Sequence, residues 1–221
     1  MVNKILLVFL LQDFLFLASG GLLIGVVFIT KAAMASQPTM NNVAANMLLM
    51  QTPLTGVIAA GVMTFVTFLV SLPGAALSSN RIWLKITGAL ITLTALLTLI
   101  IGVDIWFSTL QTRANLGITW GQQSQLSQSL IQQKFKCCGY LSNPFIQDKI
   151  CTSAFVAAQL GNCVGPFSNF ANSFLDLVFT AIFGLAGADL ALFLSVVVVL
   201  KDRAEKDRYR HIDEKNGFSG I

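Results

Sequence analysis

The chain has 221 residues, of which 55% are hydrophobic and only 11% charged, with a formal net charge of +4 and a mean hydropathy of +0.74. That balance excludes an ordinary soluble domain and marks a membrane protein. The basic residues form no single large patch, which argues against nucleic acid as a partner.

After a short N-terminal segment, residues 1–4, the first apolar run covers residues 5–29 and is interrupted by Gln12, Asp13 and Ser19. At about 1.5 Å of rise per residue, a helix of this length exceeds the roughly 30 Å hydrocarbon core. Ala33-Met34-Ala35 resembles a signal-peptide cleavage site. Signal-peptide cores, however, run about 7 to 15 residues and carry no buried acid, so a retained span is expected. Residues 30–52, with Pro38, Asn41, Asn42 and Asn46, read as a small outer loop. The second span, 53–72, is expected to stop at Pro73-Gly74, where an amide donor is missing and the backbone is free. Ser78, Ser79, Asn80, Arg81 and Lys85 then mark 73–85 as a tight inner turn.

The third span, 86–107, is broken only by threonines, Gly88, Gly102 and Asp104. Residues 108–173 form the longest segment that could not live in a bilayer. Its first part is rich in Gln and Ser, with apolar Trp120, Leu126, Leu130, Ile131 and Phe135. Leu126, Leu130 and Ile131 keep helical spacing, which Gly117 and Gly121 weaken. The fourth span, 174–200, contains Asp176 and Asp189 and ends in Val196-Val197-Val198-Val199-Leu200, and a charged tail, 201–221, follows.

All four cysteines, Cys137, Cys138, Cys151 and Cys163, lie in the long polar segment. An even, clustered count in such a segment is what an oxidised two-disulfide head looks like. Of the three pairings open to four cysteines, adjacent Cys137 and Cys138 cannot easily bond each other, and two pairings remain. A zinc site would space its ligands as C-x2-4-C, which these do not, so no metal is expected. Lys4, Arg81, Lys85, Lys201, Arg203, Lys206, Arg208, Arg210 and Lys215 fall on one side of the membrane, against Lys31, Arg113, Lys134, Lys136 and Lys149 on the other. That bias puts both termini in the cytoplasm and the cysteines on the oxidising side.

Four spans, a small first outer loop, a large second one and Cys137-Cys138-Gly139 before two later cysteines resemble a tetraspanin along nearly the whole chain. Pro73-Gly74-Ala75-Ala76-Leu77 resembles the family's small-residue exit from the second span. Thr112-Arg113-Ala114-Asn115 and Trp120-Gly121-Gln122-Gln123, with the four-cysteine head, are similar to the fungal penetration-peg tetraspanins. The resemblance implies an all-α membrane protein, a four-helix transmembrane bundle with a disulfide-stabilised, mostly helical large extracellular loop, multi-pass in the plasma membrane or an endomembrane. It further implies the disulfides Cys137–Cys163 and Cys138–Cys151. Its narrower form implies a role in polarised outgrowth or host penetration, alongside a membrane NADPH oxidase. Two features depart from many relatives. No cysteine stands beside a span for palmitoylation, and no N-x-Ser/Thr sequon invites N-glycosylation.

No catalytic set is visible. The single histidine, His211, lies in the charged tail, and there is no G-x-S-x-G, P-loop or H-E-x-x-H. An enzyme and a cofactor are therefore not expected. Gln12, Asp13, Asp104 and Asp189 sit in lipid-depth sequence with no lysine or arginine in a span to pair with. Asp13 and Asp189 fall within roughly 5 Å of the same depth by helical rise, and are expected to act as neutral donors in an interhelical network. A proton or cation path, or a cavity for a sterol or another lipid, would use the same residues. Gly20, Gly21 and Gly25 form a small-residue strip for helix packing, with Gly184-x-x-x-Ala188 as its counterpart.

In the head, Tyr140, Leu141, Phe145, Ile146, Phe155 and Val156 exceed what a small disulfide knot can bury, so some are expected to form a partner-binding patch and others to cap the stalk helices. The tail to Lys215 alternates in sign as solvated helix ends do, and Ser219-Gly220-Ile221 fits a short carboxylate-capture motif. The expected function is a scaffold that organises integral membrane partners laterally, in contact with membrane lipids and able to form homo-oligomers. A small channel or transporter using Asp13 and Asp189 is the rival. A claudin-like barrier protein would carry its cysteines in the first outer loop, where this chain has none.

Overall fold

The computed structural model describes residues 4–77, 81–141 and 145–215. Among them are eight helices and no strand: α1 (Lys4–Ala35), α2 (Val43–Leu49), α3 (Leu54–Ala76), α4 (Arg81–Leu110), α5 (Thr112–Gln122), α6 (Gln125–Phe135), α7 (Ala154–Leu160) and α8 (Val164–Lys215). Four of them, α1, α3, α4 and α8, are long and apolar enough to cross a membrane. The chain is an all-helical membrane protein.

The inside-out pattern of α3 supports that statement independently of length. Its buried residues are Ala60, Gly61, Thr64, Thr67, Ser71 and Gly74, while Val62, Phe65, Val66, Leu69 and Leu72 are exposed. A helix that hides hydroxyls and shows branched hydrocarbon is built for an apolar solvent. The hydroxyls are satisfied locally: Thr64 donates to the Ala60 carbonyl at 2.9 Å and Thr67 to that of Met63 at 2.8 Å. On α4, Thr87 and Thr94 do the same with Trp83 and Leu90.

The chain divides into two compact units. The first comprises Met1–Gly25, Thr55–Ile100 and Phe183–Ile221, around a core of Phe9, Phe16, Leu84, Ile91, Leu192, Val196 and Val199. In this unit α3 does not stop at Pro73 as expected but runs on to Ala76, with Pro73 inside the helix. Pro73 costs only the bond its own amide would make one turn back, and the carbonyls at the helix end, which no helical amide reaches, are capped from α8. Buried Arg203 of α8 donates to the carbonyls of Gly74 at 2.8 Å, Ala75 at 3.1 Å and Leu77 at 3.2 Å. Gly74 eases the approach, since a Cβ there would lie 3.2 Å from Leu84 Cδ1, which would have to give way slightly.

The second unit comprises Val26–Leu54 and Ile101–Ile182. Its core joins Val43, Ala44, Met47 and Leu48 of α2 to Leu116 and Trp120 of α5, Ile131 of α6, Cys137, Tyr140, Cys163, and Phe167 and Ala171 of α8. Helix α6 is capped by Ser124, whose side chain accepts the Ser127 amide, and closes at Lys136 in the left-handed conformation. Ile131 faces the core of this unit, whereas Leu126, expected on the same apolar face, is exposed.

Candidate functional site

Chain reversal after α6 brings the cysteines together. Lys136 (φ 52°) ends the helix, Gly139 (φ 68°) turns the chain again, and Gly161 (φ 73°) ends α7. Positive φ is cheap only for glycine, which explains the residue after the cysteine pair. The turned backbone is cross-bonded: the Cys163 amide donates to the Gly139 carbonyl at 2.8 Å and the Cys138 amide to the Gly161 carbonyl at 2.9 Å. Disulfides join Cys137 to Cys163, with Cα atoms 5.0 Å apart, and Cys138 to Cys151, 5.8 Å apart. All four cysteines are buried, and with their sulfurs bonded in pairs no thiolate is left for zinc.

Gln132, which had no visible role in the sequence, is the polar centre of this module and is wholly buried. Its Oε1 accepts the amides of Gly139 at 3.0 Å and Ile146 at 3.2 Å, and its Nε2 donates to the Ile146 carbonyl at 2.8 Å and to Asp148 Oδ2 at 3.1 Å. Asp148 also accepts the amides of Ile150 and Cys151 and the Ser129 hydroxyl. Burial alone would raise the Asp148 carboxyl, but the Cys151 and Ile150 amides with Gln132 and Ser129 outweigh it and hold the group below its ordinary value.

Of the six side chains expected to offer a patch, Tyr140 is not on the surface. It packs 5.8 Å from Trp120, donates its hydroxyl to the Arg113 carbonyl at 2.6 Å, and closes against Gly117, where a Cβ would lie 3.0 Å from its ring. Burial pushes its phenol up. Phe155 is 72% and Leu141 62% exposed, while Phe145, Ile146 and Val156 are half-buried. Helix α7, which carries Phe155, buries none of its residues fully.

The intramembrane polar residues form separate pairs, not one network. Ser71 donates to Asp13 Oδ2 at 2.5 Å, Thr98 donates to Asp189 Oδ2 at 3.2 Å, and Ser195 donates to Gln12 Oε1. Each polar group is met by a hydroxyl from a neighbouring helix, so nothing draws the two acids to each other. Both acids are buried, Asp13 Oδ1 has no hydrogen-bond partner, and neither acid has an ion pair among the described residues. Asp104 stands apart from them, exposed on α4. The glycine strip also divides. At Gly20 a Cβ would lie 2.7 Å from Thr64 Cγ2, and at Gly61 2.6 Å from Ile24 Cγ1, so α1 and α3 cross closely there; a Cβ at Gly21, Gly25 or Gly184 would meet no other helix within 4 Å. The close partner of Gly20 is therefore Gly61 of α3 and not the Gly184 strip.

His211 lies in the exposed tail, 3.3 Å from Glu214. Ser219-Gly220-Ile221 falls outside the described residues. The chain matches no family model, no curated protein and no solved structure.

Proposed function

We propose that the chain is a tetraspanin-type membrane scaffold, non-enzymatic, that gathers integral membrane partners laterally, with its cysteine module on the outer side and both termini in the cytoplasm. The observation that carries this reading is the closed two-disulfide module standing between the third and fourth span-length helices and presenting Phe155 and Leu141 to solvent. Two apolar side chains so exposed on a rigid base suit a protein partner. The lysine and arginine bias supports the sidedness. In its narrowest form the proposal places the protein in fungal polarised outgrowth or host penetration, beside a membrane NADPH oxidase. Purification of the full chain in mild detergent followed by mass spectrometry tests it. Reproducible recovery of the same integral membrane proteins, lost on Phe155→Ser with Leu141→Ser, supports the scaffold; the chain recovered alone every time rejects it.

A second reading, a small channel or transporter, draws on the unpartnered Asp13 Oδ1 deep in α1. Asp13→Asn keeps a hydrogen-bonding group and removes ionisation. Unchanged behaviour in this variant rejects proton transport and leaves the scaffold reading intact.

A further inference from the structure

Helices α1 and α8 leave an open groove between them of about 470 Å³, walled by Ile5 and Val8 on one side and Leu194 and Val198 on the other. Val8, Leu194 and Val198 are each about half exposed along it. Toward one end Ser195 donates to Gln12, with Ala191 a turn beyond it; the other end is flanked by Lys4. From the Gln12–Ser195 bond, Lys4 lies about 12 Å along α1, and Lys201, one turn past Val198 on the same face of α8, about 9 Å along that helix in the same direction. The nearby acid, Asp202, is bridged by Lys206 at 2.7 Å. An apolar trough with two cations at its mouth and its polar side chains tied to each other suits a lipid with one chain in the trough and a phosphate at the top.

We propose that this groove holds one acyl chain of an anionic glycerophospholipid, with its phosphate between Lys4 and Lys201. The occupant is set by charge complementarity: the walls accept any methylene chain, but two lysines favour a headgroup with net negative charge over a zwitterionic one, by roughly fivefold per lysine. The site needs only the membrane-spanning helices, so it stands or falls independently of the scaffold reading.

The test uses the full chain, purified from bilayers of phosphatidylcholine with phosphatidylserine and weighed with its retained lipids by native mass spectrometry. One phosphatidylserine retained per chain is expected, with preference over phosphatidylcholine falling roughly fivefold in Lys4→Gln and again in Lys4→Gln with Lys201→Gln. Ala191→Trp, which puts an indole into the groove that Ala191 lines, should remove the retained lipid of either headgroup while both disulfides persist. Soluble glycerophosphoserine should not compete. Equal lipid retention and preference in all variants would mean only surrounding bilayer, and competition by the soluble headgroup would mean a phosphate site without a chain; either overturns the proposal.

Discussion

Gln132 Nε2 donates to Asp148 Oδ2 across 3.1 Å, tying the last turn of α6 to the loop that ends at Cys151. Because Gln132 is wholly buried and also holds the Gly139 amide, its loss strands polar backbone in the module. Gln132→Leu is expected to destabilise the protein by about 2–3 kcal/mol. The thermal midpoint in detergent, with and without the substitution, checks this, and an unchanged midpoint would remove Gln132 from its central role.

Asp148 makes the module acid-sensitive in one direction. Its folded value lies below the ordinary carboxylate value, so its contribution is fully present above that ordinary value and is lost as pH falls through the lower, folded one. Disulfide reduction by a phosphine that works in acid should therefore accelerate only below the normal carboxylate range. Asp148→Asn should reduce faster than the parent at neutral pH and lose the acid-induced step.

Arg203 joins helices distant in sequence through three carbonyls at the end of α3. Lysine has a point charge and cannot span them as a planar fork does. Arg203→Lys is expected to cost about 2 kcal/mol and Arg203→Ala more, read as faster amide exchange at residues 74–77. Exchange unchanged from the parent in both variants would show that the Pro73 turn holds itself.

Glycines in the first span should separate cleanly. Gly20→Ala puts a methyl against Thr64, with an expected cost of about 1–3 kcal/mol for overpacking. Gly21→Ala meets nothing within 4 Å and should stay within about 0.5 kcal/mol. Thermal midpoints of the two variants, side by side, decide it.

Hydropathy made the four long helices legible, because a run of twenty apolar residues has few other uses. Cysteine adjacency went as far as two pairings and no further; choosing between them needs the turn at Gly139 and its bond to Cys163, a contact across the module. Ser71 and Thr98 were invisible as partners of the acids, since a hydroxyl in a span has no periodic signature and its partner on another helix is set by packing. Gln132 sits in a Gln- and Ser-rich stretch where its neighbours Gln128 and Gln133 look alike in composition. In the sequence Arg203 is one of several tail charges, and only the position of the α3 end shows that it is a cap. Tyr140 looks like its neighbouring patch residues in the sequence, which cannot show that Gly117 leaves room for its ring.

Sidedness and oxidation of the cysteine module are the claims on which the scaffold rests, and one labelling experiment reads both. Intact cells would be treated with a membrane-impermeant maleimide before and after a membrane-impermeant reductant, and the mass of the recovered chain measured. The account expects no label before reduction and four labels afterwards, on Cys137, Cys138, Cys151 and Cys163. Labels before reduction, or labels that appear only once the cells are permeabilised, would contradict it.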